Sequence, residues 1–160
     1  MKRSVFSVGI GVAALAAVAL GASGTAAGHS TPTSTTSAVA KVELSTTKLG
    51  KVLADGRGHT LYLFEKDKRS KSACTGACVQ AWPPLTTTGR PAAGRGVSAS
   101  KLGTTNRGHG VKQVTYNGWP LYRFQGDTRA RQTNGEGINA FGGKWLVLSA
   151  SGKKVEANGK

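Results

Sequence analysis

An all-β fold built from two repeated units is predicted for this 160-residue chain, and three observations carry the prediction. First, "LYLFEKD" at residues 61 to 67 returns as "LYRFQGD" at residues 121 to 127. Both copies read Leu-Tyr-x-Phe-x-x-Asp, so Tyr62 and Phe64, then Tyr122 and Phe124, fall at the spacing of two that points side chains to one face of a strand. Second, the short runs "GKVLA", "TLYLF", "KQVTYN", "PLYRF" and "KWLVLS" are β-branched or aromatic and bounded by Gly, Asn, Asp or Pro. Third, 23 glycines and frequent turn dipeptides argue against a helical bundle.

In chain order, Lys2 and Arg3 precede an apolar run from Val8 to Leu20 and then the small residues "GASGTAAG". This pattern predicts a signal peptide over residues 1–27, cleaved after Gly24 or Ala27. A retained anchor is the alternative, but the run is shorter than the roughly 20 residues of a membrane span and is rich in Ala and Gly. No transmembrane helix is therefore expected after cleavage, and no lipid anchor, because no cysteine lies near the cleavage region. In "HSTPTSTTSAVA", residues 29 to 40, seven of twelve residues are Ser or Thr. A segment with so little apolar surface cannot offset its ordering entropy, so residues 28–40 are expected to be a flexible stalk.

The folded part is expected over residues 41–156, with a tail at 157–160. Repeat 1, about 48–89, runs from Val52 through a turn at Asp55-Gly56 to the first phrase, then to Trp82, Leu85 and Gly89. Repeat 2, about 102–152, runs from Val114 through Asn117-Gly118 to the second phrase, then to Trp145, Leu148 and Gly152. Asp-Gly and Asn-Gly favour tight hairpin turns because they tolerate positive φ. The connecting loops hold 14 residues between Asp67 and Trp82 and 17 between Asp127 and Trp145. "SACTGACVQAW", residues 72 to 82, is the one expected helical turn, near the cysteines and ended by Pro83-Pro84. The architecture expected is two pseudo-symmetric β-meander repeats packed as one small domain. Tyr62 should superimpose on Tyr122, Phe64 on Phe124 and Trp82 on Trp145, with all six rings largely buried. Trp119 has no counterpart in the first repeat and is expected to be exposed.

The two Tyr-x-Phe-x-x-Asp phrases, "CTGACVQAWPPL" (74 to 85), "YNGWPLYRF" (116 to 124) and "GEGINAFGGKWLVLSASG" (135 to 152) together resemble the bacterial secreted-repeat family, described as predicted lipoproteins with a Tyr-x-(Phe/Trp/Tyr)-x-x-Asp motif. The resemblance covers Val52 to Gly152. It implies a secreted product and supplies no biochemical activity. The chain departs from the lipoprotein label in lacking the lipobox cysteine, which implies a soluble or non-covalently wall-associated protein.

Cys74 and Cys78 are the only cysteines, and the oxidising exterior favours a disulfide between them. Covalent haem attachment calls for His after the second Cys, where Val79 stands. A zinc site would need two further ligands from His29, His59, His109 and scattered carboxylates, and the sole Met is the initiator, which disfavours copper. No cofactor and no metal are expected. Asp67 and Asp127 invite a two-carboxylate glycosidase reading, but equivalent positions in two repeats point instead to hydrogen bonds that hold turns. No nucleophile elbow, zinc-protease pair or phosphate loop is present, so no catalysis is expected.

Charge gives the strongest functional signal. Twenty-two Lys and Arg against seven Asp and Glu make +15, or +13 once Lys2 and Arg3 are removed with the signal peptide. Such a protein is drawn to polyanions: wall polymers, anionic lipid surfaces or extracellular nucleic acid. Arg69 and Lys71 follow Asp67 at the offsets at which Arg129 and Arg131 follow Asp127, so these four are the candidate anion-binding residues. The expected function is a secreted, non-enzymatic interaction module. An exported redox or metal-binding accessory using Cys74 and Cys78 is the alternative.

Overall fold

The computed structural model describes residues 38–155, so the predicted signal peptide, most of the stalk and the C-terminal tail lie outside the described residues. Chain order is β1 (Lys41–Thr47), β2 (Gly50–Asp55), β3 (Tyr62–Phe64), α1 (Ala77–Ala81), β4 (Thr86–Thr87), β5 (Ala92–Ala93), a 3-10 turn (Ala99–Lys101), β6 (Leu102–Asn106), β7 (Lys112–Tyr116), β8 (Trp119–Pro120), β9 (Asn139–Ala140), β10 (Gly143–Leu148) and β11 (Lys154–Val155). The fold is all-β, with α1 where the sequence places its helical turn. Trp82 donates its N–H to Cys78 O at 2.8 Å, and Pro83 cannot extend the turn. Ala40, assigned to the stalk, already belongs to the folded part: its N–H donates to Thr87 Oγ1 at 3.1 Å and its carbonyl accepts from Ala92.

Among the described residues the strands form three small sheets: β2-β1-β5; β11-β10-β3 with β9 beside β10; and β4-β7-β6 with β8 beside β7. The turn between β7 and β8 is the type I′ hairpin expected of Asn-Gly, with Asn117 at φ 49° and Gly118 at φ 81°. The Asp55-Gly56 turn is longer than expected. Asp55 N–H donates to His59 O at 2.9 Å, and the positive φ falls on Gly58 rather than Gly56. The cause is the Asp55 side chain, whose Oδ1 accepts from the N–H groups of Arg57 and His59 and shapes the loop around itself.

The repeated phrases are buried on both faces. Leu61, Leu63 and Leu121 join Val42, Leu53, Val114, Leu146 and Leu148 in an aliphatic core, while Tyr62, Phe64 and Tyr122 join Trp82, Trp145, Val147 and both cysteines in an aromatic one. The period of two therefore sorts leucines to one side of the strand and rings to the other. Each fully buried side chain of this size contributes roughly 1.5–3 kcal/mol.

Pairing between the repeats is a finding that the sequence pattern does not show. β10, from repeat 2, pairs antiparallel with β3, from repeat 1, in the register Trp145↔Phe64, Leu146↔Leu63 and Val147↔Tyr62. The mirror arrangement joins residues 81–85 to the second phrase, with Pro84 opposite Tyr122, Arg123 N–H donating to Pro83 O at 2.9 Å and Gln125 N–H donating to Ala81 O at 2.9 Å. At the pseudo-twofold axis Tyr62 and Tyr122 exchange both backbone hydrogen bonds, at 2.9 and 3.0 Å. Each repeat thus supplies the tryptophan-bearing segment that covers the other's phrase. The second crossing is less regular because Pro83 and Pro84 have no N–H to donate.

Candidate functional site

The end of each phrase explains why Tyr and Asp stand five residues apart. Tyr62 Oη donates to Asp127 Oδ2 at 2.5 Å, and Tyr122 Oη donates to Asp67 Oδ2 at 2.7 Å. The tyrosine of one repeat therefore bonds the aspartate of the other. The remaining oxygens fix the loops behind them: Asp67 Oδ1 accepts from Ala73 N–H at 2.7 Å, and Asp127 Oδ1 accepts from Asn134 N–H at 2.9 Å. Asp67, Asp127 and both tyrosines are buried. A charge-assisted bond of this kind contributes about 1.5–3 kcal/mol.

Burial and the facing carboxylates push both phenols well above the ordinary value of 10.0. Because the folded state resists ionisation that the unfolded chain undergoes near pH 10, their contribution is complete below that pH and is lost as pH rises above it. In a Tyr116→Phe variant, whose phenolate absorbance comes from Tyr62 and Tyr122 alone, the signal should appear together with unfolding. A smooth titration near pH 10 in a protein that stays folded would contradict the burial. Burial also raises Asp67, against the N–H of Ala73, the Tyr122 hydroxyl and the field of Arg107, so its ionisation opposes folding. Asp55 goes the other way. Burial is outweighed by the Arg123 hydrogen bond and charge and by two backbone N–H groups, so Asp55 stabilises above its ordinary value and loses that effect as pH falls.

Between the two latches the rings form one stack. Phe64 lies on Trp145 at 4.2 Å, Trp145 on Trp82 at 3.9 Å, and Trp82 on Phe124 at 4.3 Å. Tyr62 and Tyr122 meet Trp82 and Trp145 edge-on at 5.3 and 5.1 Å. Five of the six rings expected to be buried are 0–1% exposed, whereas Phe124 is half-buried at the end of the stack. Gly135 closes the other side, where a Cβ would stand 2.7 Å from Trp82 Cη2 and 3.0 Å from Tyr62 Cζ. Trp119, expected to be exposed, is half-buried against the aliphatic core, with Lys154 Nζ 5.8 Å from its ring centroid.

Cys74 and Cys78 are disulfide-bonded and buried against the aromatic core. Arg107 holds this loop, donating to Cys74 O at 2.6 Å, Ser72 Oγ at 2.7 Å and Gln113 Oε1 at 2.7 Å. Replacing both cysteines with Ala should lower stability by about 2 kcal/mol in denaturant unfolding, since the closed loop is short, and leave the fold intact. Loss of near-ultraviolet circular dichroism in that variant would show instead that the bridge organises the core. Among the described residues no cluster of three or more His, Cys, Asp or Glu could hold a metal ion.

The four candidate anion-binding residues are not brought together. Arg69 Nη1 donates to Asn117 O at 2.9 Å, Arg129 N–H donates to Gln132 Oε1, Lys71 lines clefts with Lys66, Lys68 and Arg107, and Arg131 lines a different cleft with Arg57 and Arg95. Their apparent equivalence also shifts. Ser70 N–H donates to Gly118 O and Arg131 N–H donates to Gly58 O, at 2.7 and 3.0 Å, and Ser70 and Arg131 share a left-handed φ of 55° and 67°. Ser70 is thus the counterpart of Arg131, because repeat 2 carries one extra residue after Asp127.

The arginine cleft, about 460 Å³, has Arg57, Arg95 and Arg131 on its walls and Gly56 and Gly58 in its lining. It continues into a second cleft of about 330 Å³ that shares Lys41, Gly56 and Arg57 and reaches Arg123. Its carboxylates are already engaged: Glu43 with Lys41 at 2.7 Å and Asp55 with Arg123 at 2.6 Å. Sequence reading missed Arg57, Arg95 and Arg107, which carry no local pattern; Gln113, fully buried, could have been flagged by its place inside the strand "KQVTYN".

A family model described as "Secreted repeat of unknown function" matches residues 43–86 and again 103–149. No curated protein and no solved structure matches the chain. The two matched segments are the two halves joined at the Tyr62–Tyr122 axis, and together they span more than half of the sequence. The chain belongs to the family of secreted repeats of unknown function.

Proposed function

We propose that this secreted repeat protein is a non-enzymatic interaction module for an anionic polymer of the cell envelope. One observation carries the reading: the fold consumes its acids internally. Of the seven Asp and Glu, all but Glu156 are described, and each of those six is engaged. Asp67 and Asp127 hold tyrosines, Asp55 holds Arg123, Glu43 holds Lys41, Glu65 holds Lys154 and Glu136 accepts from Val147 N–H. The two buried carboxylates of the repeated motif each hold a tyrosine hydroxyl and a loop N–H, which supports a structural role for them. Lysines and arginines far outnumber these acids, so an external anion is left to meet their charge.

The test is a titration of the purified protein with inorganic polyphosphate at several salt concentrations. Affinity should fall linearly on logarithmic axes between about 50 and about 200 mM salt, as bound counterions are released from the polymer. Absence of salt-sensitive binding to any envelope polyanion would remove the reading. Among the described residues no helix is long and apolar enough to cross a membrane.

A further inference from the structure

We infer that the groove walled by Arg57, Arg95 and Arg131 is the binding site, and that its ligand is a phosphodiester polymer of the polyol-phosphate type. The inference rests on the anionic-polymer reading above and assigns it a place and a chemistry. The three arginines come from the β2–β3 loop, the segment after β5, and the loop after the second phrase. All three are exposed, and among the described residues no guanidinium among them has an ion pair or hydrogen bond. A ligand here meets charge that no carboxylate of the groove offsets, since Glu43 and Asp55 are paired with Lys41 and Arg123.

The pseudo-twofold axis supplies an internal control. Gly58 and Gly118 accept equivalent N–H groups, which puts Arg57 opposite Asn117 and Arg131 opposite Ser70. The fold is thus satisfied by uncharged residues at both mirror positions. The mirror turn has one arginine of its own, Arg69, and it is bonded to Asn117 O at 2.9 Å. The free arginines at the first turn are therefore additions that the architecture does not demand. The backbone of Arg131 is held in the left-handed region over Gly58, so the guanidinium stands on a fixed base rather than a free loop.

The lining chooses among phosphate-bearing ligands. Guanidinium forks match phosphate oxygens in pairs. The two joined clefts, sharing Lys41, Gly56 and Arg57, suit a chain that runs on past one phosphate. Among the described residues neither cleft is lined by an aromatic ring, so they offer no platform on which nucleic-acid bases would stack. Its apolar lining comes from small or aliphatic side chains such as Leu44 and Val39, with no aromatic anchor to enter a lipid surface.

The test compares wild type with Arg57→Gln/Arg95→Gln/Arg131→Gln and with a charge-matched control, Lys66→Gln/Lys68→Gln/Lys71→Gln, which alters the lysine cleft. Probes are poly(glycerol phosphate), a single-stranded oligonucleotide, and phosphatidylglycerol vesicles. The arginine variant should bind poly(glycerol phosphate) at least about tenfold more weakly than wild type and lower the salt slope by about 2, as loss of three phosphate contacts on a single chain implies. The lysine variant should change it less. Arg57→Gln/Arg95→Gln, which leaves the Arg131 backbone untouched, should show the same direction if the triple variant folds poorly. Equal losses in the two triple variants, or wild-type preference for the oligonucleotide or vesicles, would overturn the groove assignment while leaving anionic binding in place. No binding of wild type to any probe would overturn both.

Discussion

Trp82→Ala should be among the most damaging single truncations in the domain, lowering stability by about 3–5 kcal/mol. Trp82 is 1% exposed, lies between Trp145 and Phe124 in the stack and meets Tyr62 edge-on, so its removal leaves a cavity walled by three other rings. Native domains have only about 5–15 kcal/mol in hand, and a loss of this size should lower the melting temperature by roughly 10 to 20 °C. Phe124→Ala, at the half-buried end of the same stack, should cost less than half as much. Thermal unfolding followed by near-ultraviolet circular dichroism checks both. Equal costs for the two would mean that the stack is not the organising feature of the aromatic core.

The second large effect is expected at the latch. Asp127→Ala removes the acceptor of the Tyr62 hydroxyl, in a buried site, and of Asn134 N–H, in a partly buried one. Leaving a buried donor unmet costs about 1–3 kcal/mol and a partly exposed one less, so the variant should lose about 2–4 kcal/mol in denaturant unfolding. Asp127→Asn keeps the shape and an acceptor oxygen and should lose less. A loss under 1 kcal/mol for Asp127→Ala would indicate that water replaces the carboxylate and that the latch contributes little.

Much of this architecture was legible in the residues because local chemistry determines it. Asn117-Gly118 makes its type I′ turn since both residues accept positive φ, and the helical turn stops where Pro83 removes a donor. Tyr-x-Phe reads as strand because the spacing of two is the strand period. The exchange between repeats was not legible, since two similar units offer the same complementary surfaces to themselves and to each other. Only chain geometry decides which pairing forms. The offset between Ser70 and Arg131 was hidden for a related reason: matching residue types at equal distances from Asp67 and Asp127 imitate equivalence, while backbone hydrogen bonds to Gly118 and Gly58 reveal the extra residue. The arginine groove gave no signal because Arg57, Arg95 and Arg131 are far apart in sequence and meet only after β1, β2 and the loop behind the second phrase pack together.

Each repeat's tyrosine is completed by the other repeat's aspartate, and double-mutant cycles measure that exchange. The cycle Tyr62→Phe with Asp127→Ala spans the repeats, and the cycle Tyr62→Phe with Asp67→Ala stays within one phrase. The coupling should be about 1–3 kcal/mol in the first cycle, and additivity should hold within about 0.5 kcal/mol in the second. Coupling confined to the within-phrase pair would contradict the exchange.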